Sequence, residues 1–161
     1  MQLYVVRHAY AGQRGDPNYP DDAERPLTKK GRKRFKALAK QLAKRGLQPE
    51  LVATSPLVRC RQTAALICAM TPGHPSLVDV AALAPGSDLE ALVTWTNQQA
   101  ERSIAWVGHS PDVEQLIGAL IADDAHVRMA KGAIASIEFD GEVLAGHGVL
   151  QWLITPKVLG A

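Results

Sequence analysis

The sequence predicts an α/β fold, a single-domain three-layer α/β/α sandwich spanning residues 1–161 with a mostly parallel central sheet and an antiparallel edge. Three observations predict it. Short apolar runs alternate with longer stretches of helical spacing, the pattern of strand–helix–strand units. Two helix starts, in TSPLVRCRQT and GHSPDVEQL, follow directly on apolar runs, so each joins a strand end to a helix beginning. The last two apolar runs instead bracket a glycine-rich connection. With 161 residues, 47% hydrophobic and 21% charged, the chain is long enough for a real core and has ordinary globular composition.

The first strand is predicted at residues 2–7, because Leu3, Tyr4, Val5 and Val6 suit a covered sheet; the run stops abruptly on Arg7-His8. Residues 9–27 form a long polar connection punctuated by Gly and Pro, and a loop of that length in a compact domain is usually functional or mobile. In the helix predicted at 29–45, Phe35, Leu38, Ala39 and Leu42 share one face. The basic stretch KKGRKRFK, residues 29–36, then occupies the outer face, either as a solvated surface or as a docking site for an acidic protein. A strand at 50–54 leads into a helix at 56–70, with Ser55 as its cap and Pro56 at the first helical position. A strand at 77–80 precedes a helix at 87–101, whose N-terminus Asp88 and Glu90 favour. A strand at 103–107 enters a helix at 111–122 through Ser110 and Pro111 in the same arrangement. IASIEF at 134–139 and VLQWLIT at 149–155 complete the sheet.

Several function classes are disfavoured. A formal net charge of +2 is too weak to argue for nucleic acid or membrane. No N-terminal signal pattern and no apolar run near the ~20 residues of a membrane span is present. Cys60 and Cys68 fall on one predicted helix, roughly 12 Å apart and too far for a disulfide, so buried thiols in a reducing, cytoplasmic setting are expected. The five histidines are scattered, without HxxxH or CxxC spacing, and neither a metal nor another cofactor is expected. GxSxG and GxxxxGK[ST] are absent, which argues against a serine-nucleophile elbow and a triphosphate-binding loop.

In an open parallel sheet, ligands collect outside the carboxyl ends of the strands. Those ends carry Arg7 and His8, then Ser55 to Arg59, then Gly108-His109. Arg59 lies in the first turn of its helix, and helical side chains lean toward the N-terminus, so it reaches back to the rim. Two arginines, two histidines and two helix N-termini at one rim suit a phosphoryl group, which arginine grips by paired hydrogen bonds. Histidine can itself be the nucleophile, and neighbouring arginines disfavour its protonated form.

These segments resemble the motifs of the histidine phosphatase, or phosphoglycerate mutase-like, superfamily. VVRHA resembles its strand-RHG motif, RPLTKKG its LTxxG segment, SPLVRCRQTA its SPxxRxxQTA motif, and VGHSP its second-histidine motif. Length and wording look most like the small SixA-type phosphohistidine phosphatase branch. The resemblance implies a phosphoglycerate mutase-like fold and hydrolysis through a covalent phosphohistidine intermediate. His8 is then the nucleophile, Arg7 and Arg59 hold the phosphoryl oxygens, and His109 donates to an equatorial oxygen. Arg25 belongs to the pocket edge, Thr28 caps the following helix, and Gln62 and Thr63 pack behind the site. One departure is plain: Ala9 stands where the family has glycine.

The leaving-group acid stays open among Asp79, Asp88, Glu90, Asp21, Asp22 and Glu24. A phosphorus–nitrogen bond to imidazole needs less help from an enzyme acid than an alkyl ester does. The expected substrate is therefore phosphohistidine on a protein, a histidine-containing phosphotransfer domain, with the enzyme metal-independent and monomeric. The alternatives are a small-molecule phosphomonoesterase, a mutase, and a non-catalytic phosphate-binding module. His74, His126 and His147 are read as surface or structural.

Overall fold

The computed structural model describes residues 1–122, 125–158 and 160. Its strands are β1 (Gln2–Arg7), β2 (Leu51–Thr54), β3 (Ser76–Asp79), β4 (Ser103–Gly108), β5 (Ile134–Glu138) and β6 (Val149–Ile154). Its helices are α1 (Lys29–Ala43), α2 (Val58–Met70), α3 (Leu89–Asn97) and α4 (Asp112–Ile121). The six strands form one sheet in the order β3-β2-β4-β1-β5-β6. β2–β3, β2–β4 and β1–β4 pair in parallel, whereas β1–β5 and β5–β6 are antiparallel. This is the predicted mostly parallel sheet with an antiparallel edge.

The central strands are apolar on both faces because both are covered, and the period of two divides their side chains between two cores. Leu3, Val5, Ile104 and Trp106 face one core with Leu92 of α3 and Val113, Leu116, Ile117 and Leu120 of α4. Tyr4, Val6, Ala105 and Val107 face the other with Phe35, Leu38 and Leu42 of α1 and Cys60, Ala64 and Ile67 of α2. Three layers follow directly. The indole N–H of Trp106, fully buried, donates to Thr96 Oγ1 at 3.0 Å, so the largest core side chain has no unmet polar group.

Thr28 caps α1 as expected, its hydroxyl accepting from Gly31 N at 2.9 Å. At the other end, Gly46 adopts φ 100° and Leu47 N bonds back to Leu42 O at 3.0 Å, a left-handed termination that favours glycine. Two expected caps are corrected. α2 begins at Val58 with Leu57 as its capping residue and no side-chain cap, and α4 begins at Asp112 behind Pro111. Ser55 and Ser110 are each spent elsewhere: Ser55 Oγ lies 2.8 Å from a histidine nitrogen and Ser110 Oγ donates to Glu114 at 3.0 Å. α3 is shorter than the predicted 87–101: the N–H of Gln98 closes a tight turn onto Trp95 O at 3.3 Å. Asp88 caps this helix through Ala91 N at 3.0 Å.

The 9–27 connection is tied down at both ends. Ala11 and Leu27 form a bridge, Gly12 N donates to Pro26 O at 3.1 Å, and Thr28 N donates to Tyr10 O at 2.9 Å. Between them, Asp22–Glu24 make one turn of 3-10 helix, capped by Asp21 through Ala23 N at 2.8 Å. That turn carries Asp22 to the N-terminus of α2.

Candidate active site

The sheet order explains why distant residues meet. β4 lies between β1 and β2, so their carboxyl ends are neighbours. The ladder continues one step past each strand: His8 N donates to Gly108 O and Ser55 N to Val107 O, both at 3.0 Å. The rings of His8 and His109 lie edge to face with centroids 5.5 Å apart. They line a cavity of about 710 Å³ together with Arg7, Arg25 and Arg59. Every residue assigned to the site from the sequence thus borders one cavity.

The hydrogen bonds assign the tautomers. His8 Nδ1 sits 2.7 Å from Ala9 O. A carbonyl only accepts, so Nδ1 carries the proton and the Nε2 lone pair is left unengaged. His109 contacts Ser55 Oγ through Nε2 at 2.8 Å and Arg59 Nη2 through Nδ1 at 3.3 Å. Guanidinium only donates, so Nδ1 accepts and Nε2–H donates to Ser55. Both nitrogens of His109 are therefore engaged with protein groups, an arrangement in which Nδ1 cannot donate to a phosphoryl oxygen until Arg59 releases it and the ring gains a proton.

Both rings are held uncharged at neutral pH. Burial is the main cause for His8, whose pKa is lowered to about 3; Arg59, His109 and Arg7 push the same way, and the bond to Ala9 opposes them. His109 is lowered to about 4, first by burial and then by Arg59, against the raising effect of Asp22. The sequence points to the arginines as the cause of the uncharged imidazole; desolvation outweighs them because the rings sit on buried strand ends, only 8% and 4% exposed.

Arg59 projects from the first turn of α2, 5% exposed. Its Nη1 donates to Asp22 O at 2.7 Å and lies 3.2 Å from the Asp22 carboxylate, and Nη2 meets His109. Arg25 binds the same carboxylate through Nε at 2.9 Å and Gly12 O through Nη1 at 2.7 Å. Arg7 Nη1 donates to Met129 O at 2.6 Å. Behind the nucleophile segment, Thr63 accepts from Ala9 N at 3.1 Å and donates to Arg59 O at 2.7 Å, so one hydroxyl links the His8 loop to α2. Gln62 accepts from Leu27 N at 2.9 Å. Ala9 does not fall in the left-handed region; among the described non-glycine residues only His74 does, so the methyl group is accommodated without backbone strain.

The acid candidates are sorted by position. Asp79 pairs with Arg61 at the exposed end of β3, Asp88 and Asp21 are caps, and Glu24 and Glu90 are exposed. Asp22 alone of the six reaches the cavity. Its carboxyl is held below the usual range, first by the hydrogen bond from Arg25 and further by the charge of Arg59, so it is ionised and serves as a clamp on two arginines. The sequence carried a signal for this, an acid three residues before Arg25, but no means of knowing that Arg59 would join. Ser55 as the partner of His109, and Asp112, which accepts from Gly86 N at 3.1 Å, were missed because a serine before proline and an acid in a first turn both read as helix-start signals. Lys131 also lines the cavity, from a segment without any sequence signal. Cys60 Sγ lies 3.4 Å from His109 Nε2; burial pushes its thiol up to about 12, so it stays protonated and packs as a small apolar group. Cys68 is half-buried, and both cysteines are free. His74, His126 and His147 are exposed and outside the cavity. No cluster of three or more His, Cys, Asp or Glu with metal-binding geometry occurs among the described residues, and no helix among them is long and apolar enough to cross a membrane.

Comparison with known proteins agrees with this geometry. An uncharacterized protein from a Picosynechococcus species is 34% identical over 167 aligned positions, covering 99% of both chains. The protein histidine phosphatase SixA, solved in complex with tungstate, superposes with a TM-score of 0.85 at 26% identity over 99% of both chains. A SixA structure from Agrobacterium tumefaciens shares the fold with a TM-score of 0.80, at 22% identity over 96% of this chain and 97% of that one. Residues 3–84, which carry Arg7, His8, Arg25 and Arg59, match the profile of the histidine phosphatase superfamily, branch 1. With the strand ends, the paired imidazoles and the arginines arranged as described, the chain belongs to the histidine phosphatase superfamily.

Proposed function

We propose that this protein hydrolyses phosphohistidine on a partner protein, a histidine-containing phosphotransfer domain, through a phosphorylated His8. The observation that carries this reading is the state of the carboxylates at the cavity. Among the described residues, Asp22 and Asp112 are the only acids lining it; Asp22 is ionised against two arginines and Asp112 accepts from Gly86 N. Asp22 is therefore no ready proton donor for an alkoxide leaving group, and Asp112 already spends Oδ2 on a backbone N–H. A phosphoimidazole protonated on its other nitrogen needs none, since it departs as neutral imidazole.

The steps follow from the chain's own groups. His8 Nε2 offers its lone pair to phosphorus, and the Nδ1–H bond to Ala9 O steadies the positive charge the ring acquires. The phosphorus–nitrogen bond of the substrate breaks as the bond to Nε2 forms, and its electron pair returns to the departing imidazole. Arg7 and Arg59 meet the charge on the transferring oxygens. As the phosphoryl anion draws Arg59 away from His109 and raises the affinity of that ring for a proton, Nδ1 takes a proton from solvent and becomes a donor to an oxygen. Water then attacks the phosphohistidine, its proton passes to the released phosphate, and His8 regains its lone pair. The arginines supply the positive charge in this scheme, so no metal is called for. Two free cysteines fit a reducing cytoplasm.

The decisive experiment offers the enzyme a phosphorylated phosphotransfer domain and an aryl phosphate together. Faster phosphate release from the domain is expected, with a transient acid-labile label on the enzyme that His8→Ala abolishes along with turnover. Preference for free phosphomonoesters by orders of magnitude would replace this reading with the small-molecule one. Full activity in His8→Ala would remove the nucleophile assignment.

A further inference from the structure

The outer face of α1 is charged and uncompensated. Lys29, Lys30, Arg32, Lys33, Arg34 and Lys36 are all exposed, and none forms an ion pair among the described residues. A net charge of only +2 for the whole chain makes this excess local, so it is a patch and not a general attraction for polyanions.

The patch is joined to the active site by packing. α1 lies directly on the loop after β1: a Cβ at Gly31 would collide with Tyr10 O, and Thr28 N bonds that same oxygen. Tyr10 is 44% exposed, and Lys131 Nζ stands 5.4 Å from the centre of its ring. Tyr10, Arg34, Lys131 and Lys157 line a groove of about 360 Å³ together with Ala130, Thr155 and the buried Pro156. Lys131 lines the catalytic cavity as well, so the groove opens beside the mouth of the site. Its three cations come from three separate segments, and no acidic side chain among the described residues lines it. Lys30, one turn before Arg34, extends the charge along the same side of α1.

We propose that this groove is a docking subsite for carboxylate side chains on the phosphorylated partner protein, so that the enzyme reads an acidic surface beside the phosphohistidine. The proposal rests on the protein-phosphatase reading above. Cations around an exposed aromatic ring, with Pro156 beside them, suit Asp and Glu side chains presented on a protein surface. Such a surface brings both the charge and the apolar stems that the groove can cover.

The test separates docking from chemistry. Arg34→Glu/Lys157→Glu alters two exposed residues outside the catalytic cavity. Hydrolysis of p-nitrophenyl phosphate should be unchanged. For an acidic phosphotransfer domain at low salt, kcat/KM should fall by roughly tenfold or more, and its decline with added salt should flatten. Binding of the unphosphorylated acidic domain, followed by fluorescence anisotropy, should weaken in parallel. Equal loss on both substrates, or unchanged binding of the domain, overturns the docking subsite. If the wild-type enzyme binds the domain in this charge-dependent way yet never dephosphorylates it, the subsite stands and the assigned substrate falls. Tighter binding to duplex DNA or to phosphatidylglycerol vesicles than to the acidic domain also overturns the proposal.

Discussion

Replacing His8 with glutamine removes a ring that the fold keeps uncharged, and that loss is readable in how stability varies with pH. The pKa of His8 is lowered to about 3 in the native protein, against an ordinary value of 6.5. Between those values the unfolded chain binds a proton at this ring that the folded chain refuses. Stability is therefore full above pH 6.5 and declines as pH falls toward 3. From pH 7 to pH 4.5 the unfolded ring becomes almost fully protonated while the folded one stays neutral, which costs the wild-type protein about 2–3 kcal/mol at this site. His109, lowered to about 4, adds a similar dependence that is common to both proteins and cancels in their difference. So does Asp22, which loses its stabilising charge only at lower pH because its carboxyl lies below the usual range. The assay is urea unfolding of wild type and His8→Gln at pH 7 and pH 4.5, in a buffer free of phosphate. The stability of wild type relative to the variant should drop by about 2–3 kcal/mol on acidification. A difference that stays flat with pH would show that His8 titrates like an exposed histidine and would sink the argument for a buried, neutral nucleophile.

Two further substitutions probe the support of the site. Ser55→Ala strips the acceptor from the buried His109 Nε2–H and should cost about 1–3 kcal/mol. It should also free the ring to exchange tautomers in ¹⁵N spectra, whereas a cap-only role for Ser55 would leave those spectra unchanged. Gly31→Ala should destabilise the protein by about 1–3 kcal/mol, despite the higher helix propensity of alanine, because its Cβ meets the carbonyl of Tyr10 two residues from the nucleophile. A gain of about 1 kcal/mol, as propensity alone gives, would mean that the Tyr10 loop yields freely.

Much of the site was legible because its chemistry sits beside strong local signals. Arg7 and His8 end an apolar strand, Arg59 follows a strand-to-helix junction, and His109 ends another strand. A strand end has a known direction, so the residue after it belongs to the carboxyl rim whatever the sheet order. The roles of Ser55, Asp22 and Lys131 were not legible for a different reason. A serine before a helix and an acid in a loop satisfy local rules equally well as caps. Only a partner from elsewhere in the chain changes their meaning, and those partners lie 54 and 37 residues away for Ser55 and Asp22.

The sequence alone determined that the chain alternates strands and helices, which residues face the core, and which four side chains stand at strand or helix ends. These are matters of period, propensity and chain direction, all encoded within a dozen residues. The tertiary structure decided that β4 lies between β1 and β2, and hence that the two imidazoles meet edge to face. It decided their tautomers and their neutral state too, because desolvation and hydrogen-bond partners are properties of the assembled interior and not of any local segment.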